Sequence, residues 1–181
     1  MDIVLDGGST QVGVESTIVD LSTDPPELLR PGAIGLAELQ RLIPTLVSRT
    51  VRAAGDVALA SPGTLARHYS PRTPLRLFDG SRHEALDGIA RAVATAQGAH
   101  RRVALLVFDG DRPALTSSGM PLVTLGEERD AGSVAARLYG ALRECDALGC
   151  DQILCRLPET HDTHPLWPAI VDRLRRAATA G

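Results

Sequence analysis

The segment Val103–Phe108 is an unbroken apolar run that lies between two charged residues, Arg102 and Asp109. A short apolar run without alternation is typical of a strand that is buried on both faces, as in the middle of a parallel sheet. Other strands are predicted at Leu75–Phe78, Leu122–Leu125 and Gln152–Leu157, and helices at Glu84–Gln97, Val134–Leu148 (with Ser133 as its N-cap) and Pro165–Ala178. Because strands and helices alternate, the sequence predicts an α/β fold with a parallel sheet between two helical layers.

The first 50 residues predict part of a second α/β unit. Ser16–Leu21 has the β-branched alternation of a strand, Leu28–Leu29 is a shorter extended piece, and Gly35–Ile43 has apolar residues at helical spacing. Residues 51–73 contain Gly and Pro without a long periodic run, which is typical of a linker. The sequence therefore divides into residues 1–50, a linker at 51–73, and an α/β domain at 74–181.

Composition and charge argue against two classes of protein, those that bind nucleic acid directly and those that contact membranes. Hydrophobic residues make up 44% of the chain, and the formal net charge is −3. This charge gives no global basic field for nucleic acid, so no direct nucleic-acid binding is predicted. No apolar run approaches the roughly 20 residues that a membrane span needs, and no signal peptide is recognised at the start, so we expect a cytoplasmic protein without membrane contact.

Two residue types are absent from the chain. All 19 basic residues are arginines, and the sequence contains neither Lys nor Asn. Reactions that need a lysine amine or an asparagine amide therefore cannot be assigned to this chain. Cys145, Cys150 and Cys155 match no common zinc spacing and are interpreted as buried structural thiols. His161 and His164 lie on a loop, and no metal site is predicted.

Four residues are candidates for ligand binding, although each also has an ordinary structural interpretation. Ser16 begins a strand, where its hydroxyl could bind a small polar ligand such as an amino acid. Arg30 stands before the rigid corner Pro31–Gly32 and could contact a phosphate, or be a plain surface arginine. His68 and Tyr69 lie in the linker, which could close over a nucleotide or simply connect two domains.

The order of the motifs is more specific than any one of them. The chain carries DGG (6–8), GVESTIVDL (13–21), LLRPGAI (28–34), SPG (61–63), RHYSP (67–71) and TPL (73–75), in that order. This succession resembles the Sua5/YrdC/YciO family, and the linker followed by a second α/β domain resembles its longer, two-domain Sua5 branch. The resemblance implies that residues 1–50 are the C-terminal part of a YrdC-like catalytic domain. It also implies that residues 74–181 are the Sua5 domain, a Rossmann-like three-layer α/β/α sandwich.

The resemblance implies a reaction and its site. Such enzymes are nucleotidyltransferases that convert L-threonine, bicarbonate and ATP, with Mg²⁺, into L-threonylcarbamoyl-adenylate and pyrophosphate. The product serves N6-threonylcarbamoyladenosine formation at position 37 of tRNAs, so other tRNA threonylcarbamoylation proteins are expected partners. By motif, Ser16 would bind threonine and Arg30 the ATP phosphate region. His68 and Tyr69 would belong to a linker that covers the ATP site.

The chain also departs from the family pattern. The family's first domain begins well before the DGG motif, and its early part carries phosphate-binding Lys and Arg residues and a Ser-x-Asn segment. We therefore expect the catalytic residues to lie outside this chain and the fragment to be inactive alone. An alternative is a nucleotide-binding or regulatory module that pairs with a separately encoded first half. An unrelated α/β protein with a coincidental motif order is a third interpretation.

Overall fold

A small sheet is formed by the first part of the chain. The structure is a computed structural model that describes residues 3, 5, 7–8, 10, 12–48, 70–159 and 164–179. The elements of this part are β1 (Ile18–Asp20), β2 (Glu27–Arg30), α1 (Leu36–Leu39) and β3 (Val47–Ser48). Strand β2 is central, antiparallel to β1 and parallel to β3. This sheet places Ser16 and Arg30 on neighbouring strands. Whether residues 1–50 come from a YrdC-like domain stays a prediction.

A second, four-stranded sheet, which we call the main sheet, forms the centre of the molecule. Its strands are β4 (Leu75–Phe78), β5 (Val103–Phe108), β6 (Leu122–Gly126) and β7 (Gln152–Arg156). All neighbours are parallel, and the spatial order is β4-β7-β5-β6. Every residue of β5 is buried, as expected for a strand that is covered on both faces.

Helices cover both faces of this sheet. They are α2 (Arg82–Gly98), the single turn α3 (Arg112–Leu115), α4 (Ala131–Ala147) and α5 (Leu166–Thr179). One apolar cluster joins α2 and α3 to the sheet through residues such as Ile89 and Leu105. The other joins α4 and α5 to the opposite face through residues such as Leu138 and Ile170. The predicted three-layer α/β/α arrangement is therefore confirmed. Within the part that the structure describes, no helix is both long and apolar enough to span a bilayer.

Two local predictions were wrong. Helix α4 begins at Ala131, and its N-cap is Asp130, whose carboxylate accepts a hydrogen bond from the backbone N–H of Ser133. Ser133 therefore lies inside the first turn, because Asp130 offers the stronger acceptor at the positive end of the helix dipole. The predicted helix Gly35–Ile43 is regular only over Leu36–Leu39. Its last residues form a turn in which the N–H groups of both Leu42 and Ile43 donate to the carbonyl of Leu39.

Candidate functional site

The structure brings Ser16 and Arg30 together. Strands β1 and β2 pair antiparallel, with Ile18 opposite Arg30, so the residue that enters β1 lies beside the residue that ends β2. The Nε of Arg30 donates to the carbonyl oxygen of Ser16 at 3.0 Å, and its Nη2 donates to the Ser16 hydroxyl at 3.2 Å. The Arg30 side chain is largely buried whereas Ser16 is exposed. A hydroxyl and a guanidinium group therefore meet at one edge of the small sheet.

The backbone around this pair is closely packed. A Cβ atom at Gly32 would lie 2.4 Å from the backbone nitrogen of Thr17, so only glycine allows this approach. The Thr17 hydroxyl donates to the carbonyl of Ile34 at 2.9 Å and accepts from its N–H at 3.2 Å. These contacts hold the segment that enters β1 against the segment that leaves β2.

A cluster of charged and polar groups connects the small sheet to the helices of the main sheet. Both carboxylate oxygens of Glu15 lie 2.9 Å from the hydroxyl of Tyr139 on α4, and one accepts from Nε of Arg173 on α5 at 2.9 Å. The Nη1 of Arg173 also donates to the carbonyl oxygen of Pro31 at 2.8 Å. We call Glu15, Pro31, Tyr139 and Arg173 the Glu15 junction.

Electrostatics fix the protonation states at the Glu15 junction. Burial would raise the pKa of Glu15, but backbone hydrogen bonding, the charge of Arg173 and hydrogen bonds from Arg173 and Tyr139 lower that pKa overall. Burial, followed by the hydrogen bond and negative charge of Glu15, raises the pKa of Tyr139. Glu15 is therefore a carboxylate at neutral pH, and Tyr139 is a neutral phenol that donates to it.

The end of the predicted linker is attached to α4. The carboxylate oxygens of Asp146 accept from the backbone N–H groups of Arg72 and Thr73, each at 2.9 Å. His68 and Tyr69 lie outside the described residues, so the structure does not place them relative to Ser16 and Arg30. Helix α4 therefore holds both the segment that contains Glu15, through Tyr139, and the point where the linker enters the main domain.

Comparison with known proteins places this arrangement in a family. The family model described as "Threonylcarbamoyl-AMP synthase, C-terminal domain" matches residues 34–179. This chain belongs to that family. It is 31% identical to the threonylcarbamoyl-AMP synthase of Pyrococcus abyssi over 98% of its own length and 49% of the relative's. It is 33% identical to the threonylcarbamoyl-AMP synthase of Bacillus subtilis, over 97% of its own length and 48% of the relative's. The chain therefore spans about half the length of the curated relatives it matches.

Solved structures agree with this assignment. The crystal structure of P. abyssi Sua5 complexed with L-threonine matches with a TM-score of 0.77 and 30% identity, over 96% of this chain and 48% of that chain. A P. abyssi Sua5 variant with alanines in place of an adjacent histidine and tyrosine matches with a TM-score of 0.75 and 29% identity. The match to this variant covers 96% of the present chain and 47% of the variant's chain. The sequence resemblance to the Sua5 branch is thus confirmed, and the regulatory-module alternative is not favoured.

A second polar cluster of this Sua5-family chain lies at the carboxyl ends of the main strands. Arg156, at the end of β7, pairs through Nε with Asp111 at 2.7 Å and through Nη2 with Glu128. Its guanidinium carbon lies 4.7 Å from the centre of the Phe108 ring, and Arg82 also pairs with Asp111 at 2.7 Å. Open α/β sheets usually bind ligands at this edge. Here these side chains satisfy one another, so we place no substrate there.

Burial alone would lower the pKa of Arg156, but hydrogen bonds and attraction from Glu128 and Asp111 outweigh burial and raise it. The arginine therefore stays charged although its side chain is only 2% exposed. A buried cation with two carboxylate partners is a structural unit, since removal of one partner would leave a charge without full compensation.

Sequence reasoning missed the Glu15 junction. The sequence places Arg173 in the predicted helix Pro165–Ala178 without assigning it a contact, but its side chain is buried and points into the molecule. One signal was available: Ile170, Arg173 and Ala177 recur at helical spacing on the apolar stripe of α5. An arginine on such a stripe needs a carboxylate, yet the pattern does not identify Glu15 as the partner.

Other reactive groups are few in the described residues, and no group of three or more His, Cys, Asp or Glu side chains there could hold a metal ion. Cys145 and Cys155 are buried and Cys150 is partly exposed; all three are free thiols. Burial, followed by the nearby charges of Asp146 and Glu144, raises the pKa of Cys145 to about 12. This thiol is therefore protonated at neutral pH and is a poor nucleophile.

Proposed function

We propose that this chain provides the second half of an L-threonylcarbamoyladenylate synthase, a nucleotidyltransferase that acts in the threonylcarbamoylation of tRNA. The substrates are L-threonine, bicarbonate and ATP with Mg²⁺, and the products are threonylcarbamoyl-AMP and pyrophosphate. The observation that carries the proposal is the contact between Ser16 and Arg30 in a chain whose residues 34–179 match the family model. These are the two residues that the resemblance assigns to threonine and to nucleotide phosphate.

The chemistry of the site fits this assignment. The threonine amine would add to carbon dioxide, which forms from bicarbonate with release of water, and would lose a proton to become a carbamate. A carbamate oxygen would then attack the α-phosphorus of ATP as pyrophosphate leaves. In this proposal the Ser16 hydroxyl hydrogen-bonds threonine, and the Arg30 guanidinium offsets negative charge near the phosphates. Positioning and charge neutralisation dominate such a transfer, so a preformed pair of binding groups is useful even without a general base.

His68 and Tyr69 complete the proposal as parts of the linker that covers the nucleotide. One finding supports this role: residues 72–73, at the end of the linker, are anchored on α4, the helix that also contacts Glu15 next to Ser16. Because the chain contains no Lys and no Asn, we infer that the phosphate-binding lysine and the asparagine of the family come from elsewhere. The isolated chain then releases no pyrophosphate.

Calorimetry with L-threonine tests the proposed binding residue directly. We expect the purified chain to bind L-threonine, and to bind L-valine more weakly because valine lacks the hydroxyl. Ser16→Ala should weaken L-threonine binding roughly tenfold because one hydrogen bond to the ligand is lost. Ser117→Ala, an exposed serine distant in sequence, serves as the matched control. Equal affinity of Ser16→Ala and wild type would remove Ser16 from the site.

Pyrophosphate release tests whether the half is sufficient. The chain is assayed with ATP, Mg²⁺, L-threonine and bicarbonate, beside the P. abyssi enzyme as positive control. We expect release from the P. abyssi enzyme only. Threonine-dependent release by the isolated chain would show that the absent Lys and Asn are dispensable.

A further inference from the structure

Arg173 contacts the two chain segments that carry the candidate binding residues. Its Nε donates to Glu15, which directly precedes Ser16, and its Nη1 donates to the carbonyl of Pro31, which directly follows Arg30. A guanidinium group can make both contacts because its donors have a fixed, planar arrangement. One side chain of α5 therefore fixes the distance between the two binding residues through their neighbours.

Tyr139 holds the same carboxylate from a second helix. Its hydroxyl lies 2.9 Å from both Glu15 oxygens, and α4 and α5 share one apolar core with the main sheet. The backbone also fits closely here, since a Cβ at Gly13 would lie 2.1 Å from the Cα of Ala136 on α4. Glu15 is thus held from two packed helices, and the chain two residues before it lies directly against the backbone of α4.

Charge and burial indicate that the Glu15 junction does more than stabilise the fold. The Arg173 side chain is 5% exposed, and its Nη2 has no hydrogen-bond partner among the described residues. A buried ion pair is a poor source of stability compared with apolar side chains of similar volume. Its directional hydrogen bonds instead fix orientation, which apolar contacts do less sharply.

We propose that Arg173, together with Tyr139, is a positioning residue for the L-threonine site, acting through Glu15 and Pro31 on Ser16 and Arg30. The identity of the ligand rests on the proposed function. In this arrangement the second domain, through α4 and α5, sets the geometry of binding groups that belong to the small sheet. Residues that touch no ligand can act in this way, because small displacements of a binding group are costly.

The experiment compares Arg173→Gln with Arg175→Gln, a matched control on the exposed side of the same helix. Calorimetry with L-threonine gives the affinity, and ¹⁵N NMR of the arginine Nε–H groups gives the Arg30–Ser16 hydrogen bond. The Arg30 signal is assigned by its loss in Arg30→Lys. For Arg173→Gln we expect roughly 10- to 100-fold weaker binding and a shifted, faster-exchanging Arg30 Nε–H. Arg175→Gln should match wild type in both measurements.

Conservative variants separate positioning from stability. Arg173→Lys keeps the charge opposite Glu15 and should recover part of the affinity, without restoring the contact to Pro31. Tyr139→Phe removes only a hydroxyl and should give a smaller change in the same direction. It replaces Arg173→Gln if circular dichroism shows that variant to be unfolded. A purely structural role predicts lower unfolding midpoints with unchanged L-threonine affinity and an unchanged Arg30 signal, and that result overturns the proposal.

The two readouts also separate this proposal from the proposed function. If the wild-type chain binds no L-threonine, the ligand assignment fails, and the Arg30 signal alone decides the positioning role. A shifted signal in Arg173→Gln, absent in Arg175→Gln, then supports positioning of Ser16 and Arg30. An unchanged signal refutes it.

Discussion

At the scale of single residues, Arg156 shows how the chain places a charge inside its core. The residue ends β7, where both neighbouring strands also end, and its side chain meets Asp111, Glu128 and the face of Phe108. Arg82 adds a second cation to Asp111. Each charged group is stable at this position only because the others are present.

Replacement of Asp111 by alanine tests this dependence. We expect Asp111→Ala to lower the free energy of unfolding by about 3–5 kcal/mol, because it leaves Arg156 without one of its two carboxylates in a buried site. Urea unfolding followed by circular dichroism measures the loss. Asp87→Asn, which alters an exposed contact with His83, should change stability by less than ~1 kcal/mol. Equal losses of unfolding free energy in the two variants would show that the buried pairing of Asp111 with Arg156 stabilises the fold no more than an exposed contact does.

At the scale of elements, α4 organises the contacts between the two sheets. In its first half, Ala136 packs against Gly13, and in its middle the hydroxyl of Tyr139 contacts Glu15. In its second half, Asp146 binds the backbone of residues 72–73. The partly buried side chains of Val12 and Val14 pack against the apolar cluster that α4 and α5 form with the main sheet. The small sheet is therefore attached to the first half of α4, and the end of the linker is attached to the last turns of the same helix.

The fit at Gly13 gives a prediction about this attachment. In Gly13→Ala the new Cβ would overlap the backbone of α4, and the positive φ of 74° disfavours any residue except glycine. We expect a loss of more than about 1 kcal/mol in stability and faster hydrogen exchange in residues 12–34. Gly7→Ala, where a Cβ would meet nothing within 4 Å, is the control and should behave as wild type. Slow exchange of residues 12–34 in Gly13→Ala would contradict the close fit.

The sequence predicted the elements of the main domain well, because apolar runs and helical periodicity are local signals. Strands β4 and β5 have the predicted bounds, and β6, β7, α2 and α5 differ only at their ends. The start of α4 was missed because Asp130 and Ser133 are both good N-caps, and only the hydrogen bond distinguishes them. The Glu15–Arg173 pair joins positions that are 158 residues apart, and no local pattern specifies such a partner.

At the scale of the whole molecule, the Glu15 junction makes the attachment of the two sheets dependent on pH. The pKa of Glu15 is held below its ordinary value of 4.5 in the folded protein. A carboxylate with a lowered pKa contributes stability that is present above the unfolded pKa and is lost as the pH falls through the folded pKa. The stabilisation is therefore complete at neutral pH and disappears in acid.

This dependence is measurable with Glu15→Gln. We expect the variant to be less stable than wild type at pH 7, because it no longer neutralises Arg173, and the difference should shrink as the pH falls below 4.5. Urea unfolding at pH 7, 5, 4 and 3 gives the comparison. Glu38→Gln, on the exposed side of α1, is the control. A difference that stays constant from pH 7 to pH 3 would mean that folding does not lower the pKa of Glu15.

The strand order β4-β7-β5-β6 has a consequence for biosynthesis. Within the main sheet, β7 is the last strand to leave the ribosome, yet it lies between β4 and β5 and is the neighbour that pairs with β4. During translation, β4 therefore has no hydrogen-bonded neighbour in the main sheet while α2, β5, β6 and α4 leave the ribosome. The nascent chain exposes an open strand edge for this interval, which is when a chaperone would protect it from aggregation. The four-strand order of the main sheet can be completed only after residues 152–156 become available.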